Sequence, residues 1–308
     1  MATAFITHAD CLTHVTPPGH PEQLARLEHV LHAIEGLNLK RVTAPMAAED
    51  DILRIHPESY LADLRRTLPG DGRKELDADT WMSPGSLDAA FRAAGAAVRA
   101  VDMVLAGEVH NAFCATRPPG HHAETDIPMG FCLLGNAALA AKHALDHHNL
   151  RRVAVVDFDV HHGNGTQDLL WDERRALVIS SQQMPLWPGS GHAEEDGAYG
   201  NVMNLPLPPE STGATMKNAY TEQAFPRLRA FKPELIILSA GFDAHRDDPL
   251  AQLNWETDDF RWLTAELCAL AQELCQGRIV STLEGGYDLN ALANAAKAHV
   301  EELIKAAT

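Results

Sequence analysis

The sequence predicts one α/β domain over residues 1–308, built on a mainly parallel sheet of about eight strands with helices on both faces. Three observations predict it. Short apolar runs alternate with stretches of helical length from about residue 110 onward. Those runs are continuous instead of alternating, as in strands buried on both faces. Polar, chemically capable residues follow four of them, the edge at which open α/β sheets bind ligands.

Taken in order, Ala4-Phe5-Ile6-Thr7 is a short first strand. Pro21 to Ile34 is a helix: Pro21 suits the first helical position, Leu24, Leu27, Leu31 and Ile34 share a face, and Gly36 suits the stop. Residues 69–86, from Pro69-Gly70-Asp71-Gly72 to Ser83-Pro84-Gly85-Ser86, are rich in breakers and charge and form a surface loop. An Ala-rich helix runs from Leu87 to Leu105 and ends at Gly107. The strand Asn111–Ala115, a helix from about Asn136 to His148, and the strand Val153–Val156 follow. A helix near 166–173 leads to the strand Ala176–Ile179, a polar loop over 181–200, and a helix from Gly213 to Ala230. After the strand Glu234–Leu238, Thr257 caps a helix whose first turn holds Asp258 and Asp259, favourable beside the N-terminal dipole, and Gly277 ends it. The strand Arg278–Leu283 and the helix Leu289–Ala306 complete the chain, with no internal repeat and no low-complexity segment.

Composition narrows the function classes. Against 25 Lys and Arg stand 42 Asp and Glu, a net charge of −17, which argues against nucleic acid, whose phosphates would be repelled. The same charge suits cationic partners such as lysine-rich peptides or polyamines, and equally suits solubility alone. No apolar run approaches the ~20 residues of a membrane span. The first ten residues lack the basic-then-apolar pattern of a secretory leader. The five cysteines (Cys11, Cys114, Cys132, Cys268 and Cys275) are odd in number and form no C-x-x-C pair, so reduced thiols in the cytoplasm are expected.

The chemistry gathers after four strands. Arg117-Pro118-Pro119-Gly120-His121-His122 follows the strand at 111–115, and Asp157-Phe158-Asp159-Val160-His161 follows 153–156. Ser239-Ala240-Gly241-Phe242-Asp243 follows 234–238, and Glu284-Gly285-Gly286-Tyr287-Asp288 follows 279–283. Alternation in an extended chain puts Asp157, Asp159 and His161 on one side, and two carboxylates with an imidazole there are costly without a compensating cation. The alternative at this point is a capped strand end with an acidic loop. If the four edges adjoin, Asp159, His161 and Asp243 supply three ligands to a divalent metal and leave positions open, with zinc expected first and Fe²⁺, Co²⁺ or Mn²⁺ compatible. His121 and His122 are then proton handlers, Asp157 and Asn164 fix their tautomers, and Tyr287 offers a hydroxyl to a developing oxyanion.

These residues resemble the zinc-dependent histone deacetylase family, in its class II-like bacterial branch, within the arginase–deacetylase fold. Further stretches match in family order: Gly19-His20-Pro21-Glu22 with Arg26, Gly130-Phe131-Cys132, Pro188-Gly189-Ser190-Gly191 and Gly241-Phe242-Asp243-Ala244-His245. The resemblance implies an eight-stranded parallel sheet, the ligands named above, Asp157 partnering His121, Asn164 partnering His122, and His122 as general base and acid. It implies that Gly130, Phe131 and Trp187 line a narrow acyl-lysine channel with Leu250 at its gate. It implies a structural potassium ion held by carbonyls of Asp157, Asp159 and His161, with Ser180. The activity implied is removal of acetyl or acyl groups from lysine side chains of proteins or peptides.

Three other functions compete. An acetylated polyamine is a candidate substrate, against which the apolar Leu250 weighs, because a second buried amine would lack a carboxylate there. A two-manganese ureohydrolase needs Asp-x-Asp where this chain reads Asp243-Ala244-His245. A binding module without turnover would be expected to lack Tyr287 or a ligand.

Overall fold

The computed structural model describes residues 2–308. In chain order the elements are β1 (Thr3–Thr7), α1 (Leu24–Ile34), β2 (Lys40–Thr43), α2 (Glu49–Ile52), α3 (Glu58–Thr67), β3 (Lys74–Asp77), β4 (Thr80–Met82), α4 (Ser86–Leu105) and β5 (Asn111–Cys114). There follow α5 (Asn136–Asp146), β6 (Val153–Asp157), α6 (Asn164–Leu170), β7 (Ala176–Gln183), β8 (Val202–Leu207) and α7 (Gly213–Ala219). The last are α8 (Phe225–Phe231), β9 (Leu235–Ala240), α9 (Thr257–Cys275), β10 (Ile279–Leu283) and α10 (Leu289–Ala306). Eight strands form one sheet in the order β2-β1-β5-β10-β9-β6-β7-β8, and every pair in it is parallel.

The continuous apolar runs follow from burial on both faces. Along β6, Val153 and Val155 enter the core shared with the alanines of α4 and α5. Ala154 and Val156 enter the core shared with Leu27 of α1, Leu263 of α9 and Leu292 of α10. Each such buried Val or Leu contributes about 1.5–3 kcal/mol. The predicted three-layer arrangement is therefore the one observed.

Several local expectations differ. The first helix begins at Leu24, not Pro21, because Gln23 N–H bonds back to Pro21 O (2.9 Å) and Glu22 is drawn into a buried ion cluster. The loop expected over 69–86 contains the β3–β4 hairpin. The strands β2 and β8 were not anticipated: they lie at the sheet's two edges, β2 is polar and largely exposed, and β8 carries Pro206, which an edge tolerates. Helices α2 and α3 also form where the sequence suggested no element. Strand β7 continues to Gln183 because its polar end finds partners inside, Ser181 Oγ meeting Tyr220 Oη at 2.8 Å and Gln182 Nε2 donating to Gly191 O at 2.7 Å. The helix expected over 213–230 is broken by a wide π turn at Tyr220–Ala224, just before Pro226, which has no N–H to continue the ladder. Glu256, not Thr257, caps α9, through a reciprocal pair of bonds with Asp259.

The ordering of strands positions the site. The four strands with reactive residues after them, β5, β10, β9 and β6, are contiguous at the centre of the sheet. Their C-terminal ends share one edge, the crevice position of open α/β sheets.

Candidate metal and catalytic site

Strand β6 stops at Asp157, so Asp159 and His161 do not converge by strand alternation as the sequence suggested. Side chains fold the backbone instead. Asp159 N–H donates to Asp157 Oδ1 (3.0 Å) and His161 N–H donates to Asp159 Oδ1 (2.9 Å), the two-residue turns that aspartate favours. Asp243, past the end of β9, accepts from Val160 N–H (2.8 Å) and brings its second oxygen to 3.1 Å from His161 Nδ1. Asp159, His161 and Asp243 each offer a ligand atom within 4.8 Å of the other two, and all three are buried.

Two observations fit this trio to a divalent cation. The donor set of two carboxylates and one imidazole is that of a Lewis-acidic site. The charges also conflict without a cation. Burial raises both carboxylates, but the His121 and His161 charges hold Asp159 well below the usual range, while burial and the facing Asp159 push Asp243 up to about 6. A dication among them removes the conflict. A Cβ on Gly285 would stand 2.1 Å from Asp243 Oδ2, so the close approach of this loop to the ligands requires glycine.

The histidine pair lies beside the trio. His121 Nδ1 is 3.0 Å from Asp157 Oδ2, and a carboxylate can only accept, so Nδ1 carries the proton. Burial disfavours the His121 imidazolium, yet Asp159 and Asp157 outweigh that and push it up to about 10. His122 Nδ1 lies 2.7 Å from Asn164 Oδ1. Asn164 Nδ2 donates to Glu124 Oε1 (2.7 Å), which turns the amide oxygen toward His122, so His122 Nδ1 donates and Nε2 keeps its lone pair. Burial, then the His121 and His161 charges, hold His122 well below the ordinary histidine range.

Loop 284–287 completes the site. Glu284 Oε2 accepts from Gly120 N–H (2.7 Å) and His121 N–H (3.1 Å), tying the histidine loop to β10. Arg26, fully buried, donates from Nε to Gly286 O (2.6 Å) and stacks 4.8 Å over the Tyr287 ring. Asp248 accepts from Tyr287 N–H (2.7 Å) and from Leu250 N–H (3.0 Å), so one carboxylate places both. Burial raises the Tyr287 phenol well above its ordinary value, which keeps it a neutral donor.

A cavity of about 330 Å³ opens from this floor, lined in part by His122, Gly130, Phe131, Trp187, Leu250 and Tyr287. Phe131 sits edge-on to Tyr287 at 5.7 Å, and Trp187 edge-on to His122 at 4.7 Å. Phe131 is in the left-handed region (φ +68°), held there by its N–H bond to Thr80 Oγ1 (3.0 Å). Ser180 pairs with Asp157 across β6–β7, and its hydroxyl is buried without a hydrogen-bond partner, which suits a cation contact.

The candidate site residues Asp159, His161, Asp243, His121, His122, Asp157, Asn164, Tyr287, Gly130, Phe131, Trp187, Leu250 and Ser180 thus meet at this edge. Sequence reasoning missed Glu124 and Asp248, and also Asp79 and Trp81 of the hairpin, two further residues of the cavity lining. Glu124 stands two residues after the histidine pair, a signal available in the chain. His245 stands outside the trio, its Nδ1 accepting from Asp247 N–H at 3.2 Å, so nothing there supplies a second bridging carboxylate.

The sequence pattern of the histone deacetylase domain matches residues 20–303. A histone deacetylase-like amidohydrolase of Pseudomonas aeruginosa is 38% identical over 327 residues, covering 98% of this chain and 86% of that one. A mouse protein named polyamine deacetylase HDAC10 is 34% identical over 327 residues, covering 99% of this chain and 48% of that one. The crystal structure of the HDA15 HD domain superposes with a TM-score of 0.93 at 30% identity, covering 99% of this chain and 89% of that one.

Proposed function

This chain belongs to the histone deacetylase family of amidohydrolases, and from that premise we propose that it hydrolyses the N-acyl bond of acylated lysine side chains in proteins or peptides. The observation that carries the reading is the meeting, on one floor, of the acid–imidazole trio, an oriented imidazole with a free lone pair, and a neutral phenol.

Asp159, His161 and Asp243 would hold one divalent ion, zinc first and Fe²⁺ or Co²⁺ compatible, which supplies a Lewis acid that polarises the acyl oxygen and acidifies an adjacent water. His122 Nε2 takes the proton of the attacking water, because its depressed pKa keeps it neutral at neutral pH. The Tyr287 hydroxyl donates to the oxyanion as the carbonyl carbon becomes tetrahedral. His122 then returns its proton to the departing nitrogen, the C–N bond breaks, and carboxylate and amine leave. Asn164, polarised by Glu124, holds the His122 tautomer throughout. It stabilises the transient imidazolium less than a carboxylate would. Asp157 holds His121 in place and shares the buried charge of the floor. Potassium is the ion we assign to the carbonyls of Asp157, Asp159 and His161 beside the unpartnered Ser180 hydroxyl.

Phe131, Trp187 and the close approach allowed by Gly130 suit a long methylene stem, whose desolvation favours an apolar channel. Leu250 at the mouth offers no carboxylate to a second amine, which ranks acyl-lysine above acetylpolyamines. Asp79 in the same lining favours the second reading, and the relative named a polyamine deacetylase keeps it in view. Measuring kcat/KM on an acetyl-lysine peptide, longer acyl-lysine peptides and acetylspermine decides between them. Acetyl-lysine peptides are expected to be preferred; equal or better turnover of acetylspermine overturns the ranking.

A further inference from the structure

A second group of side chains of ligand type lies at the opposite edge of the sheet. Helices α4 and α5 run antiparallel to the strands they precede, so their C-terminal ends sit at the N-terminal edge, away from the trio of Asp159, His161 and Asp243. There Asp102 of α4 meets His143, His147 and His148 of α5 and its closing turn. One ligand atom from each of the four lies within 4.8 Å of all the others.

The arrangement is built by the fold. His143 and His147 are one helical turn apart and their rings stack at 4.7 Å, only 12° from parallel. The turn after α5 is closed by Asn149 in the left-handed region (φ +57°) and by Leu150 N–H donating to Ala144 O (3.1 Å), which carries His148 back over Asp102. His143 Nε2 and His148 Nε2 lie 2.8 and 2.7 Å from the same oxygen, Asp102 Oδ1. His143 is buried, and its Nδ1 has no hydrogen-bond partner, facing Asp51 Oδ1 at 3.5 Å. Asp51 thus stands just beyond hydrogen-bond distance, on the side where an outer carboxylate orients a metal-bound histidine.

We propose that Asp102, His143, His147 and His148 form a second, structural site for a divalent transition ion, of which Zn²⁺ is the representative. Four protein ligands of three imidazoles and a carboxylate make a closed coordination sphere, the mark of a structural site. Tetrahedral zinc with bonds of about 2.0–2.2 Å spaces its ligands by about 3.3–3.6 Å, so Asp102 need open from the two Nε2 atoms by under about 1 Å. The carbonyls at the C-terminal ends of α4 and α5 add negative potential that favours a cation. The ion would clamp α4 to α5 without touching the catalytic floor.

The test uses the untagged, full chain loaded with zinc. Metal content after equilibration at low-micromolar free Zn²⁺ is compared between wild type and the His147→Gln/His148→Gln double variant, both side chains being solvent-accessible enough to spare the fold. About two equivalents are expected in the wild type and about one in the variant, with deacetylase activity unchanged. Co²⁺ substitution gives a second readout: tetrahedral cobalt absorption should fall in the variant. A wild type that holds one equivalent, or a second equivalent that survives the double substitution, overturns the proposal.

Discussion

Glu22→Gln is the substitution that should reveal how the site is held from beneath. The Glu22 carboxylate is fully buried and accepts from Arg117 Nε and Nη2, from Arg26 Nη1 at 3.1 Å, and faces His14 Nε2 at 3.5 Å. Glutamine keeps the shape and removes, among the described residues, the only carboxylate within ion-pair distance of two buried guanidiniums. Breaking a buried pair by removing one partner costs about 3–5 kcal/mol, a fifth or more of the roughly 5–15 kcal/mol by which domains are stable. The loss also has a pH signature. Burial alone would raise the Glu22 pKa, but Arg117 and His14 hold it well below the usual glutamate range. A carboxyl with a depressed folded pKa stabilises fully above its unfolded value, near 4.5, and loses that contribution as pH falls toward the folded value. Urea unfolding should therefore show the variant weaker by about 3–5 kcal/mol at pH 7 with an unchanged slope. The gap between wild type and variant should close by about 1.4 kcal/mol per pH unit below about pH 4.5. A loss at pH 7 below about 1 kcal/mol, the worth of an exposed pair, refutes the reasoning.

Other perturbations reach the chemistry directly. Tyr287→Phe should lower kcat by at least ~100-fold, the size of a lost oxyanion donor, and wild-type turnover in steady-state assays would remove Tyr287 from the mechanism. Gly130→Ala would place a Cβ 2.4 Å from His122 Cδ2 and 2.6 Å from Trp187 Cη2, so kcat/KM should drop about 100-fold while the fold persists by circular dichroism; full activity contradicts the packing. Asn164→Asp, made together with Glu124→Gln so that residue 164 still faces a donor, sets a carboxylate against His122 Nδ1 and favours its imidazolium. Relative to Glu124→Gln alone, the acid limb of the kcat/KM–pH profile should move up by about 1–3 units, and an unmoved limb argues against His122 as the base.

What the sequence revealed and what it hid have physical causes. Buried central strands announce themselves as apolar runs, and the reactive residues stand directly after them, so the candidates Asp159, His161, Asp243, His121 and His122 were legible as a set that one sheet edge brings together. The order of those strands was not, because crossovers of tens of residues decide which ends adjoin. The edge strand Lys40–Thr43 was missed because an exposed strand has no apolar signature. Gln182 and Gln183 end β7 as buried polar residues whose Nε2 groups donate to partners that only the fold supplies. Glu124 holds a side chain and Asp248 two backbone N–H groups, so neither follows a strand as the reactive residues do. His143, His147 and His148 sat in an expected helix, among seventeen histidines, with the partner Asp102 some forty residues away. Asn164 carried more than a turn signal: its amide is oriented by Glu124 on one side and orients His122 on the other.

The central claim is that Asp159, His161 and Asp243 hold the ion on which hydrolysis depends, and metal reconstitution tests it most directly. Protein stripped by a chelator is assayed on an acetyl-lysine peptide before and after one equivalent of Zn²⁺, for wild type, Asp243→Asn and the His147→Gln/His148→Gln variant. The account predicts no turnover in the stripped protein, recovery in the wild type and in the histidine variant, and none in Asp243→Asn. Full turnover by the stripped protein, or recovery in Asp243→Asn equal to wild type, would contradict it.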